Sequence, residues 1–230
     1  MEMFLEVCSE LGRGFITSFF LFALTLILAL PLGLLMSLCT MSKLPYLRIP
    51  MKLIVWVLRG TPLMLQIFAI FYLPGLLRWF VWPQINTGWL WFDTTFTTRF
   101  IAALVAFVIN YAAYFSEIYR GGIESISKGQ YEAGQVLGLT KRQVFFKVVL
   151  LQVVKRIIPP MSNEIITLIK DTSLANTIAV YELIYEAKEF MTVRGLIWPL
   201  FMAGAFYLLF VGLLTVIFGK IEKKLDYFKA

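Results

Sequence analysis

Long apolar runs separated by short basic loops constrain the fold of this chain more than any other feature. A helix needs about 20 apolar residues to cross a bilayer core of roughly 30 Å, and the runs 14–39 and 195–218 exceed that length. Only 15% of the 230 residues are charged and 60% are hydrophobic, whereas soluble domains carry about 25% charged residues. The sequence therefore predicts an all-α membrane protein with a single transmembrane domain over residues 1–230.

The apolar runs predict about five transmembrane helices. Thr61 and Pro62 have the order of an N-cap and a first-turn proline, so a helix is expected to begin there. The adjacent prolines 159 and 160 are expected to interrupt the chain near the start of the fourth helix. The predicted spans are 14–39, 61–80, 99–117, 157–180 and 195–218. The segment 81–98, with Trp82, Trp89 and Trp91, suits an aromatic belt at the outer interface or, alternatively, a substrate cage.

Basic residues are distributed unevenly between the two sides of these spans. The loops 39–59, 119–156 and 220–230 hold fifteen Lys and Arg residues, whereas the opposite side holds five. Because cytoplasmic loops are enriched in Lys and Arg, we expect the N-terminus outside the cell and the C-terminus inside. Topology then explains the net charge of +7, and no nucleic-acid partner is expected.

The large cytoplasmic loop at about 119–156 contains two consecutive helix-start signals. Ser127 with Gln130 has the spacing of a capping box, and the same spacing recurs at Thr140 with Gln143. The predicted elements are a helix over 128–137, a left-handed turn at Gly138, and a second helix from about 141 toward 159. From the residues alone, this hairpin is either amphipathic and lies on the membrane surface, or it presents a short helix to a groove on a cytoplasmic partner.

Several motifs in this order resemble those of a known family. Glu132-Ala133-Gly134 followed by Gly138 resembles the EAA loop of ABC-importer membrane subunits, with glycine where the third small residue is usually alanine. The resemblance extends over about residues 14–219 and is specific to polar-amino-acid permeases. The further motifs are Arg59-Gly60-Thr61-Pro62-Leu63, Ala113-Tyr114 with Glu117, Arg120-Gly121-Gly122-Ile123, and Asn163 followed by Lys170-Asp171-Thr172-Ser173-Leu174.

The resemblance implies a type I ABC-importer-like fold in a prokaryotic plasma or inner membrane. It implies that the EAA loop couples transport to a cytoplasmic ABC ATPase dimer through Gln130, Tyr131, Glu132, Ala133 and Gly138. A P-loop motif is absent from this sequence, so ATP and Mg are expected on the partner ATPase, with no cofactor on this chain. An extracellular or periplasmic amino-acid-binding protein is a further expected partner.

A stripe of polar residues in the fourth predicted span marks the candidate substrate site. Asn163, Thr167 and Lys170 fall on one helix face, and Glu164 and Asp171 fall on an adjoining face. Because charges within a membrane are costly, such residues usually face a cavity or a partner. Both signs of charge suit a zwitterionic ligand, and the two carboxylates lean toward a cationic one. The alternative is a structural role for Lys170 and Asp171, such as an ion pair.

These features together predict the permease subunit of an ATP-driven importer for a polar amino acid, working by alternating access and not itself an enzyme. Five spans cannot easily enclose a polar path, so a second permease copy, identical or paralogous, is expected alongside membrane lipid. The alternative function is an ion-coupled carrier or channel for small polar solutes. An intramembrane enzyme is disfavoured, since the sequence has no histidine and no nucleophile–base arrangement.

Overall fold

The computed structural model describes residues 1–80, 82 and 98–225, and every regular element within those ranges is helical. Trp89 and Trp91 of the predicted aromatic belt lie outside the described residues. The elements are α1 (Glu2–Thr40), α2 (Pro45–Gly60), α3 (Leu63–Leu76), α4 (Thr98–Glu124), α5 (Lys128–Val136), α6 (Lys141–Val144), a π-helical turn (Phe145–Val149), α7 (Leu150–Asp171), a 3₁₀ segment (Thr172–Ile178), α8 (Leu183–Arg194) and α9 (Trp198–Leu225).

Helix α4 forms the centre of the main core, where it packs against α1, α2, α3 and α7. Small side chains allow these helices to approach closely, as is common between membrane helices. At Gly33 of α1, an added Cβ would lie 2.9 Å from the Ala112 carbonyl oxygen of α4. The main core is therefore built on one deeply buried helix whose neighbours contact it through alanine and glycine.

Three described helices are long and apolar enough to cross a membrane, namely α1, α4 and α9. Helices α2 and α3 would form a fourth span if taken together, with a bend of 109° between them. Helix α7 is long but does not meet the same criterion, since every 18-residue stretch of it contains Lys155, Arg156 and Glu164. The total of about five spans, and their direction through the membrane, stay predictions.

The predicted second span was wrong in its limits. Helix α3 is shorter than the predicted 61–80, and the predicted loop before it contains helix α2. Thr61 does not cap α3; its hydroxyl donates to the Val57 carbonyl at the end of α2. Four basic residues suggested a loop. Pro45 in the first turn and a single buried side chain, Val55, instead fit an amphipathic helix that packs one face against α1 and α4.

The predicted interruption at Pro159 and Pro160 was also wrong. Both prolines lie inside α7, which runs without a break from Leu150 to Asp171 and then tightens into the 3₁₀ segment. A proline removes one backbone hydrogen bond, but membrane helices tolerate it where neighbouring groups satisfy the backbone. The second half of the hairpin and the predicted fourth span are consequently one continuous helical segment, with a π-helical turn between α6 and α7.

The hairpin signals had mixed outcomes. The helix predicted over 128–137 is α5, and Gly138 follows it with φ of +73°, in the left-handed region. Thr140 and Gln143 form the predicted capping box in both directions. Ser127 is the N-cap of α5 but its side chain makes no capping hydrogen bond, so that part of the prediction was wrong.

Candidate functional site

A charged cleft of about 480 Å³ lies where the end of α2 meets α4 and α7. The bend after Gly60 brings Arg59 to its rim, and α4 and α7 supply its walls. The Arg59 guanidinium lies 5.4 Å from the ring centre of Tyr114, within range of a cation–π contact. The polar lining residues are Arg59, Tyr114, Glu117, Ser125, Arg156 and Glu164.

The charged groups of this cleft differ in how far they are already paired. Glu117 accepts two hydrogen bonds from Arg120, at 2.6 and 3.1 Å, and lies 3.6 Å from Arg59. The Arg156 guanidinium donates to the Ser125 carbonyl. Glu164 makes no hydrogen bond or ion pair with another described residue. The cleft therefore offers one half-buried carboxylate that has no partner among the described residues, in the same lining as two guanidinium groups.

A buried polar network holds the bend between α2 and α3. The Gln66 side-chain amide donates to the Leu58 carbonyl at 2.8 Å and to the Thr61 hydroxyl at 2.8 Å. Its oxygen accepts from Asn110 of α4 at 3.1 Å. Gln66 and Asn110 are buried, so each polar group needs these partners. The network fixes the bent helix pair to α4 and thereby positions Arg59.

We expect Gln66→Leu to lower the free energy of unfolding by about 2 kcal/mol, because the Leu58 carbonyl and Asn110 would lose a buried partner. Thermal unfolding of the purified protein measures the loss. The matched control is Gln152→Leu, which removes two hydrogen bonds at a half-exposed position and is expected to cost under about 1 kcal/mol. Equal losses for the two variants would contradict a special role for the bend.

The predicted substrate stripe is only partly gathered into the cleft. Glu164 lines it, whereas the other four predicted residues lie outside its lining. Asn163 and Lys170 are exposed on one face of α7, as the spacing predicted, and Lys170 forms no ion pair with any described residue. Asp171 accepts a 2.7 Å hydrogen bond from the Tyr111 hydroxyl of α4. Lys170 is nevertheless close enough to Asp171 to interact with it electrostatically, so both the substrate role and the structural role of these two residues stay predictions.

A second cleft, of about 340 Å³, lies at the other end of the molecule, between the start of α1 and α8. It is acidic, although Glu6 is paired with Arg194 at 2.6 Å. Burial, together with the nearby Glu189 and Glu10 carboxylates, raises the pKa of Glu186 in α8 to about 7. Basic loops and an acidic cleft thus occupy opposite ends of α1.

Comparison with known proteins decides the family. The family model for the inner membrane component of binding-protein-dependent transport systems matches residues 29–227. The chain belongs to this family. It is therefore a component of a membrane transport system rather than an enzyme.

The similar proteins include several named amino-acid permeases. The permease is 39% identical over 210 residues to the L-cystine transport system permease protein TcyB of Bacillus subtilis, covering 90% of this chain and 82% of that one. It is 31% identical to the arginine ABC transporter permease protein ArtM of Haemophilus influenzae, over 99% and 97% of the two chains. A solved amino acid ABC transporter with histidines matches with a TM-score of 0.82 and 25% identity, over 96% and 97%.

More distant structures share the fold. The MetNI methionine ABC transporter in an inward-facing conformation matches with a TM-score of 0.68 at 14% identity, over 98% of the permease and 99% of that chain. The predicted type I ABC-importer fold is thereby confirmed, with all regular elements of the described residues helical.

The EAA-like hairpin of the permease exposes four of the five residues predicted to couple to the ATPase. Gln130, Glu132, Ala133 and Gly138 are exposed, whereas Tyr131 is half-buried against the hairpin's own small core. The adjoining apolar side chains are strongly exposed as well, Val136 at 87% and Leu137 at 78%. Adjacent apolar side chains exposed at this level are typical of a contact surface.

One buried group of the permease had no signal in the sequence. Glu182 is fully buried at the N-terminus of α8, where its two oxygens accept from the Ile184 and Tyr185 backbone N–H groups at 2.9 and 2.8 Å. Hydroxyls from α1 and α9, on Ser18 and Tyr207, also donate to it. Glutamate is not a preferred N-cap residue, so only the meeting of three helices reveals this role.

Proposed function

We propose that this chain is the membrane-spanning permease subunit of an ATP-driven importer for a polar amino acid. The observation that carries the proposal is the charged cleft, in which the unpaired Glu164 carboxylate and the Arg59 guanidinium share one opening. Two relatives of the chain are named for transport of cystine and arginine, which share the zwitterionic α-amino-acid group. The substrate class follows from that shared chemistry.

The cleft suits the two charges of an amino acid. Glu164 is the group that would accept the α-ammonium, since Glu117 is already engaged by Arg120. Arg59 would bind the α-carboxylate, because its 3.6 Å contact with Glu117 is longer than a direct charge-assisted hydrogen bond. Arg156 is partly engaged by a backbone carbonyl. One carboxylate and one guanidinium thus remain for the ligand.

The pore is proposed to form between two copies of the permease or between this chain and a paralogue. Asn163, Thr167 and Lys170 would line it, because they lie on a face of α7 that is largely unpacked in the single chain. Asp171 would hold α7 against α4 through Tyr111. A two-fold axis would then place two polar stripes opposite each other.

The remaining partners follow from the two ends of the molecule. The exposed hairpin residues, from Gln130 to Gly138, would seat on a cytoplasmic ABC ATPase dimer that holds ATP and Mg. With the N-terminus outside, the acidic cleft would face an extracellular or periplasmic binding protein. ATP-driven closure of the ATPases would move α5. The continuous helical segment from α6 to α7 would transmit that movement to the charged cleft. The complex would lie in a prokaryotic plasma or inner membrane.

Glu164→Gln is expected to reduce uptake by at least about tenfold at limiting amino-acid concentration, since a full charge contact with the ligand is worth about 1.5–3 kcal/mol. The assay is ATP-dependent uptake into proteoliposomes that hold the permease with its ATPase and binding protein. Complex assembly and basal ATP hydrolysis are expected to be unchanged, because Glu164 supports no other described side chain. The matched control is Glu2→Gln, an exposed carboxylate of α1 that lines neither cleft.

Two results would contradict the proposal in different ways. Unchanged uptake by Glu164→Gln would remove this residue from the site while leaving the importer intact. Uptake by the permease without any ATPase would instead favour the second candidate, an ion-coupled carrier or channel.

A further inference from the structure

The charged cleft contains a second guanidinium, that of Arg156, which the head group of an amino acid does not need. A guanidinium has five N–H donors, and Nη1 of Arg156 donates to the Ser125 carbonyl. Arg156 forms no ion pair with any residue that the structure describes. Because a carbonyl oxygen carries no full charge, the positive charge of Arg156 stays available to an anionic group of a ligand.

Arg156 lies at the opposite end of the cleft from the head-group contacts. Along α7 it precedes Glu164 by eight residues, or about 12 Å of helix. On the facing wall, Arg59 lies 3.6 Å from Glu117 of α4, whereas Arg156 contacts Ser125, eight residues further on and just past the end of α4. A ligand that uses both guanidinium groups must therefore be elongated.

The wall between these two ends is uncharged. Its lining residues are Ile118, Gly121, Gly122 and Pro160. A Cβ at Gly121 would meet nothing within 4 Å, so the cleft has open space along this stretch. A chain of methylene groups or sulfur atoms suits such a wall, because it needs no hydrogen-bond partner.

The charge at the far end decides between a cationic and an anionic side chain. A cationic side chain would bring its charge beside Arg156, and the nearby Glu124 is already paired with Arg120 at 2.7 Å. A carboxylate would instead form a charge-assisted pair with the guanidinium. Two carboxylates joined by seven bonds span about 8 Å when extended. With a contact of about 2.8 Å at each end, such a ligand reaches both guanidinium groups.

We propose that the charged cleft selects an elongated amino acid with a second carboxylate, and that Arg156 binds this distal carboxylate. The inference rests on the proposed function, because it uses the head-group contacts of Glu164 and Arg59. The carboxylates of the polar stripe favoured a cationic ligand on sequence grounds, and Arg156 reverses that preference.

The test is isothermal titration calorimetry of the permease–ATPase complex in lipid nanodiscs, without the binding protein, whose own selectivity would mask that of the cleft. The probes are L-2-aminosuberate, in which seven bonds join the two carboxylates, and L-2-aminooctanoate, which has the same chain length but ends in a methyl group. L-2-aminosuberate is expected to bind at least about tenfold more tightly, because only its distal carboxylate pairs with a charged donor. L-Arginine is expected to bind at least about tenfold more weakly than L-2-aminosuberate for the same reason.

Two variants separate the two ends of the ligand. Arg156→Gln removes the charge but keeps a donor for the Ser125 carbonyl. It should weaken L-2-aminosuberate about tenfold and leave L-2-aminooctanoate within about twofold, whereas Glu164→Gln should weaken both probes equally, since both carry the α-ammonium. The matched control is Arg142→Gln, an exposed arginine of α6 outside the lining, which should change neither affinity by more than about twofold because salt screens its charge.

The outcomes distinguish this inference from the proposed function. Equal affinities of the two probes for the wild-type complex, or equal losses of both in Arg156→Gln, would overturn the selection of a second carboxylate while leaving amino-acid transport intact. Absence of ATP-dependent uptake of every amino acid by the complete complex would instead overturn the proposed function and this inference with it. The comparison of probes on the wild-type complex needs no variant, so it decides the question even if Arg156→Gln does not fold.

Discussion

Glu182→Ala is expected to lower the free energy of unfolding of the permease by about 3 kcal/mol. The substitution removes the N-cap of α8, worth about 1 kcal/mol, and removes the carboxylate that accepts hydrogen bonds from two hydroxyls, at about 1 kcal/mol each. Those hydroxyls belong to Ser18 of α1 and Tyr207 of α9. The loss should appear as a lower midpoint of thermal unfolding for the purified complex.

Two companion variants make the Glu182 result specific. Glu189→Ala removes an exposed carboxylate from the same helix and should change the free energy of unfolding by less than about 0.5 kcal/mol. Glu182→Gln keeps one acceptor oxygen but turns an N–H toward donors, so its loss should be intermediate. If Glu182→Ala were no more harmful than Glu189→Ala, the buried carboxylate would not join the three helices.

Gly134→Ala is expected to uncouple the permease from its ATPase, although alanine is the usual residue at this point of the EAA motif. A Cβ at Gly134 would lie 2.5 Å from Cγ2 and 3.1 Å from Cγ1 of Val144 in α6. Valine is stiff at χ1, so α5 must move instead. Overpacking of this kind costs about 1–3 kcal/mol, which outweighs the roughly 1 kcal/mol that alanine adds in helix propensity.

The measurement is substrate-stimulated ATP hydrolysis by the reconstituted complex, which should fall by about tenfold for Gly134→Ala. Adding Val144→Ala removes both crowded methyl groups and should restore much of the activity. Gly129→Ala is the matched control, because a Cβ at that position of α5 meets nothing within 4 Å. Failure of Val144→Ala to rescue would show that the contact does not set the position of α5.

The hairpin illustrates how far local sequence signals reach. The end of α5, the left-handed Gly138 and the capping box of Thr140 all depend on residues within four positions of one another. The spacing therefore predicted them correctly. Ser127 was predicted on the same grounds, yet Gln130, its intended partner, accepts a hydrogen bond from Gln152 instead. A contact from a distant part of the chain replaced the local one.

Helices α2 and α7 illustrate where local signals mislead. Basic residues suggested a loop before residue 60, and two prolines suggested a break in α7, since each residue type has that effect in isolation. In the folded chain, Gln66 and Asn110 satisfy the carbonyl of Leu58 at the bend. Packing against α4 and α9 holds the proline-containing helix in one piece.

The candidate site divides in the same way. Glu164 could be identified from the sequence because a carboxylate in an apolar helix is costly unless a cavity or a partner compensates it. The neighbours of Glu164 could not be predicted, because Arg59 and Glu117 lie 47 or more residues away from it along the chain. Charge pairing within the cleft, which leaves Glu164 free and engages Glu117, exists only once those helices meet.

By itself the sequence determined the membrane class, the long apolar helices, the hairpin motif and the polar stripe, because hydrophobic length and residue spacing act along one helix. The tertiary structure alone decided the bend that positions Arg59, the burial of Glu182 among three helices and the contact between Gly134 and Val144. Each of these depends on groups from different helices coming into direct contact, a condition that side-chain chemistry permits but only packing fulfils.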